Sequence, residues 1–200
     1  MADKIKYGIC NCYYAKQTTN PTTGAVTFAT PVRLPGARSL TLDPEGELTK
    51  WYADNVAYWS GEARNGYSGS LELALVPTSF KTDILGFAKD ANNVVYEDEG
   101  ATGSPFALLF QFEGDEKGTR HVVYNCQATR PGMSGNTKEE SIEPETESFD
   151  IESGTIPVTI GGVEKQIAKS STDGDTTAAT YNGWFSEVYV PSGTPAATTQ

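Results

Sequence analysis

Few residues in this chain are of types suited to catalysis or metal binding, and their spacing argues against both. His121 is the single histidine. It falls in a stretch that alternates like a strand, and no carboxylate or hydroxyl is spaced to make it a general base, so a structural or surface role is expected. Cys10 and Cys12, two positions apart, are predicted to share one face of a strand. Together with Cys126 and His121 they supply four nominal zinc ligands, but the spacing fits no usual zinc site. The start MADKIKYGIC lacks the apolar core of a signal peptide, and no run of eighteen apolar residues occurs, so synthesis in the cytoplasm without a membrane span is expected. In that setting three cysteines read as small buried residues rather than as a disulfide framework. Asp173-Gly174-Asp175 begins like a calcium loop, yet the alternating oxygen ligands and the distant glutamate are missing, and it reads as a turn. There is no glycine-rich phosphate loop and no nucleophile elbow. No catalytic residue, cofactor or metal is assigned.

The carboxylates stand apart from this poverty. Twenty-six acidic against fifteen basic side chains give a formal charge of −11, which excludes phosphate neutralisation as the general business of the surface. They also cluster: Glu97, Asp98 and Glu99; Glu113, Asp115 and Glu116; and a run from Glu139 and Glu140 to Glu152 with no Lys or Arg in it. Such runs usually form solvated faces or loops.

The elements that must position these groups are mostly strands. Frequent Gly and Pro with scattered Thr and Ser favour short strands joined by turns. Leu71, Leu73 and Leu75 alternate with Glu72 and Ala74, predicting a half-buried strand that ends at Pro77. Thr78 to Gly86 then offers a hydroxyl cap, apolar Phe80, Ile84 and Leu85, and a glycine stop, predicting one short helix. From Pro105 to Phe112, Phe106, Leu108, Phe110 and Phe112 line one face while Ala107 and Leu109 keep the other apolar, as in a central strand covered on both sides. An acidic turn leads to Thr119–Thr129, where Val122, Tyr124, Cys126 and Ala128 alternate with His121, Val123, Asn125 and Gln127. The two strands read as a hairpin. Further strands are expected at Ile5–Ala15, Arg38–Leu42, Glu147–Ile151, Thr155–Ile160, Glu164–Ala168 and Trp184–Val190, with a tight turn at Gly161-Gly162. Residues 1–190 read as one domain, and 191–200 as a polar tail with nothing to bury, expected to be disordered.

One segment is too aromatic for a linker. Asp43 to Asn65 carries Trp51, Tyr52, Tyr58 and Trp59, with Leu48 and Val56, among charged residues after a Pro-Gly turn. These side chains either cap the chain's own sheet or form an arm that docks on a neighbouring subunit.

Several long segments, in order, resemble the major tail proteins of siphophages that infect mainly Gram-positive bacteria. They are Leu40-Thr41-Leu42-Asp43-Pro44-Glu45-Gly46-Glu47 continuing through Trp51-Tyr52-Ala53-Asp54-Asn55, then Asn65-Gly66-Tyr67 leading into LELALVP. They continue with SPFALLFQFEGD, TRHVVYNCQATRP and TKEESIEPETES. The likeness runs from about Tyr7 to Ile160. It implies a mainly β tail-tube fold, a β-sandwich or partly closed barrel with one flanking α-helix and a long loop or arm. It also implies self-assembly into stacked hexameric rings without a prosthetic group, in the virion tail, after assembly in the host cytoplasm. The implied partners are other copies of the chain, a tape-measure protein and a tail-tip initiator complex. DNA would pass through without specific binding, helped by an acidic wall. The competing readings are a β-sandwich adhesin or carbohydrate-binding module, with the aromatic segment as a sugar platform, and an enzyme, for which no constellation is present.

Overall fold

In the computed structural model, which describes residues 4–114, 116–137 and 144–193, the two-residue period dominates as expected. Along the chain run β1 (Lys6–Thr19), β2 (Val26–Phe28), β3 (Val32–Arg33), β4 (Ala37–Glu45), β5 (Leu48–Ala53), β6 (Val56–Glu62) and β7 (Gly66–Leu73), then a short helix, α1 (Thr78–Asp83). Next come β8 (Ala88–Lys89), β9 (Val95–Tyr96), β10 (Phe106–Gly114), β11 (Thr119–Ala128), β12 (Glu147–Ser153), β13 (Ile156–Ile160), β14 (Val163–Ile167) and β15 (Lys169–Ser171). A second helix, α2 (Ala178–Gly183), follows.

Antiparallel pairing links nine of these strands into one large sheet in the order β2-β1-β10-β11-β12-β7-β4, with β3 beside β1 and β15 beside β11, while β5–β6, β8–β9 and β13–β14 form separate pairs. β10 is covered on both faces, as its sequence predicts. Phe106, Leu108 and Phe110 enter one core with Leu71, Leu73, Phe149 and Ile151. Strands from both halves of the sheet therefore enclose the same core, so the sheet curls into a half-barrel. Ala107 and Leu109 enter a second core, capped by Ile156 and Val158 of β13 and by Trp184.

Helix α1 closes one end of the half-barrel. Phe80 is fully buried, edge-on to Tyr14 and Phe106 and stacked on Phe149 at 5.0 Å. The Tyr14 hydroxyl donates to Asp83 Oδ2 at 2.8 Å and ties β1 to the helix. Ile84 and Leu85 are buried as predicted. The hydroxyl cap is not found: Pro77 occupies the N-cap, with no side-chain bond to the helix.

Three expectations need correction. Leu75 is exposed, because β7 ends at Leu73 and the chain has already turned toward Pro77. Among the described residues there are two helices: α2 is capped by the Thr177 hydroxyl, which accepts from Thr180 N–H. Trp184–Val190 forms no strand, since the turn after α2 throws Trp184, Phe185, Val188 and Val190 onto the second core as irregular chain.

The alternation of the central strands is also broken, at Gly8 and at two asparagines. Asn11 (φ 50°) and Asn125 (φ 48°) adopt left-handed backbone conformations, which asparagine tolerates better than most residues. Each accompanies a bulge that inserts one extra residue, in β1 between Cys10 and Tyr13 and in β11 opposite Phe106–Leu108. Tyr124 and Cys126, expected on one face, consequently enter different cores. Likewise Ile9 packs on the same core as Cys12 and Tyr14, while Cys10 is only half-buried.

Candidate assembly surfaces

The groups with chemical potential are spent locally. His121 stacks on Phe110 at 5.1 Å, and burial, with Lys169 and Lys6 nearby, pushes its pKa down to about 4, so the imidazole is neutral at pH 7. Burial pushes the Cys12 and Cys126 thiols up to about 12. Asp173 accepts from the Asp175 N–H at 3.0 Å and from the Thr176 hydroxyl, forming a turn. Among the described residues no group of His, Cys, Asp or Glu could hold a metal ion, and no helix is long and apolar enough to cross a membrane.

The aromatic segment is a hairpin. β5 and β6 turn through Asp54 (φ 50°) and Asn55 (φ 62°), the left-handed pair that fits a tight hairpin turn. Leu48, Trp51, Tyr52, Val56, Tyr58 and Trp59 are all exposed, from 56% for Trp59 to 71% for Tyr58. Trp51 pairs across the strands with Trp59 and meets Tyr58 edge-on at 5.9 Å. Tyr52 follows Trp51 and takes the opposite face, so both faces carry uncovered aromatic surface. The root is held by the Ala63 N–H donating to Glu47 O at 3.0 Å and the Asn65 N–H to Glu45 O at 2.8 Å. A cleft of about 730 Å³ separates this root from Tyr67 and the end of β14.

The loop carboxylates do not converge. Glu97 pairs with Arg130 at the α1 end of the central hairpin, with Asp98 and Glu99 beside it, while Glu113 and Glu116 lie at the other end of β10. A nine-residue strand puts these groups about 25 Å apart. Asp115, Glu139 and Glu140 lie outside the described residues.

A different acidic surface appears on the outer face of β4, β7 and β12, opposite Leu40, Leu71 and Phe149. It presents Ser39, Thr41 and Asp43, then Ser68, Ser70 and Glu72, then Ser148, Asp150 and Glu152 in neighbouring register positions. No large apolar side chain interrupts these nine positions. Glu72 accepts from the hydroxyls of Thr146 and Ser39 and from Arg38, which lower its pKa in that order. A Cβ on Gly69 would strike the Thr41 carbonyl, so glycine is needed for the close approach of β7 to β4. The signal was present in SGSLEL, where hydroxyls and Glu72 alternate with Leu71 and Leu73. Counting acids along the chain overlooks it, because a sheet gathers carboxylates that are distant in sequence.

The chain matches no family model and no curated protein sequence.

Proposed function

We propose that this chain is the repeating subunit of a long non-contractile phage tail tube, polymerising through stacked rings into the conduit for DNA. The observation that carries this reading is the β5–β6 hairpin, whose large side chains are exposed on both faces. A lone two-stranded hairpin is marginal in water, and exposed aromatic clusters are the usual anchors of interfaces. A hairpin that lacks cover on either side fits insertion between neighbouring copies better than closure over its own sheet.

Two further features support the reading. β4 lies at the edge of the large sheet, so its outward backbone groups can extend the sheet into a neighbour. The outer face of β4, β7 and β12 suits a lumen wall: carboxylates repel phosphate, and short hydroxyl side chains offer little for a sliding duplex to catch on. Asp43, Glu72, Asp150 and Glu152 supply this charge, with Glu97, Asp98 and Glu99, and Glu113 and Glu116, toward the two ends of the subunit. In the assembled tail, a tape-measure protein and a tip initiator would set length and starting point.

The exposed Trp51, Tyr58 and Trp59 also suit a sugar-stacking platform, which keeps a carbohydrate-binding module as the second reading. Negative-stain microscopy of the purified chain separates the two. Rings or tubes are expected, and a reconstruction should show a net negative inner wall. Monodisperse particles that bind glycans would replace the proposal, and a basic inner wall would refute the repulsion argument.

A further inference from the structure

The half-barrel is plugged by α1 at one end and open at the other. Its opening is a pocket of about 340 Å³ with Phe110, Phe112 and His121 as floor and Leu42 and Tyr67 in its walls. Lys6 and Lys169 also line it. Their ammonium groups lie over the rings of Phe112 and Tyr67, each 4.6 Å from the centroid, and neither is ion-paired with a carboxylate among the described residues. Asp43 is the one carboxylate in the lining. In a chain of charge −11, an apolar pocket flanked by two ammonium groups runs against the average of the surface. The basicity of His121 is lowered first by burial and then by Lys169 and Lys6.

At the α1 end, the β8–β9 hairpin presents the reverse combination. Val94, Val95 and Tyr96 are 59%, 36% and 50% exposed, and Glu97, Asp98 and Glu99 follow directly. The hairpin loop is preformed: the N–H groups of Asn92 and Val94 both donate to Asp90 Oδ1 at 2.8 Å.

We propose that the Val94–Glu99 segment of one copy docks on the Lys6–Lys169 pocket of the next copy, as the axial contact between successive rings. This rests on the tube reading above. The two surfaces match in kind, apolar against apolar and acidic against basic. They also lie at opposite ends of β10, so the contact is head-to-tail. Such a contact does not close on itself as a two-fold dimer, and with its two halves at opposite ends of β10 the step from copy to copy runs along that strand and propagates as a stack.

The test measures assembly against concentration by sedimentation and negative-stain microscopy. The samples are wild type, Lys6→Glu/Lys169→Glu, and Val95→Ser/Tyr96→Ser, with each monomer's thermal midpoint as the folding control. Each double variant should raise the concentration needed for tube growth at least about tenfold, equivalent to about 1.4 kcal/mol per contact, and leave single rings. Adding Asp98→Lys/Glu99→Lys to the lysine variant should restore growth. The serine pair lies far from the pocket, so it keeps the test open if the lysine variant folds poorly. Wild-type tube growth by folded double variants would overturn the docking and leave the tube reading intact. If wild type forms neither rings nor tubes at any concentration, the tube reading itself fails, and the docking with it. Saturation of the pocket by phenylacetate with growth unaltered would assign it to a small anion and also overturn the docking.

Discussion

β13–β14 and β5–β6 are both two-stranded antiparallel hairpins outside the large sheet, and both turn through two residues with positive φ, Gly161-Gly162 and Asp54-Asn55. In β13, Ile156 and Val158 are buried while Pro157 and Thr159 face solvent, and the apolar side rests on Leu109, Val122 and Trp184. In β5–β6 no side chain is buried. Turn chemistry and pairing thus suffice to shape a hairpin, but only a second layer fixes which face is inside. Where that layer is missing from the subunit, large apolar side chains mark the place where another molecule supplies it.

The sharpest break of this comparison would come from the packed side. Trp184→Ala should cost the isolated subunit about 3–5 kcal/mol, read as a fall in urea midpoint, because a buried ring is replaced by a cavity beneath β13–β14. An unchanged midpoint would mean that this hairpin is no better anchored than the other.

Next in size is a pH effect. The pKa of His121 is lowered, so the unfolded chain takes up its proton near pH 6.5 while the folded chain resists until about pH 4. Stability present at pH 7 should therefore fall as pH drops through that window, by about 1–2 kcal/mol given the partly exposed ring. Lys169 and Lys6, which line the same pocket, add to the effect of burial. His121→Gln should flatten the profile. Acrylamide quenching should report the change through Trp184 and leave the already accessible Trp51 and Trp59 unaltered; the reverse pattern would remove the distinction between the hairpins.

Gly162→Ala should cost about 1 kcal/mol, since φ is +80° there and the open space around it isolates the backbone penalty. Its thermal midpoint should fall while ring and tube formation persist. The smallest effect on the monomer is expected from Trp51→Ala with Trp59→Ala: a shift within about 0.5 kcal/mol, because neither ring is buried. The same pair should suppress tube formation. A large loss of monomer stability would place these aromatics in the subunit's own core and end the argument.

Much of the packed region was legible because its rules are local. Phe106 to Phe112 announced a strand with two apolar faces, Gly161-Gly162 a turn, and Phe80, Ile84 and Leu85 a short helix. Trp184–Val190 misled because alternation at Val188 and Val190 mimics a strand where the chain only drapes over a core. The aromatic segment was recognisable by composition, but its form as a hairpin depended on the unassuming pair Asp54-Asn55. The acidic face on β4, β7 and β12 was hidden because strand pairing, not sequence distance, assembles it.

Asn11 and Asn125 lie on the two strands that flank β10, and each inserts one residue into its ladder. In the sequence they read as a matched pair of frameshifts in the code of inside and outside. Deleting Asn125 would remove the bulge and make Tyr124 and Cys126 neighbours in an unbroken ladder, where regular alternation puts them on opposite faces as they already are, so Cys126 and Ala128 would keep their core. The extra residue bends and twists its strand without changing the final allocation of side chains. A gap at either asparagine, or its replacement by Gly or Asp, should therefore be tolerated far more readily than a gap elsewhere in the same strand, which would exchange inside for outside.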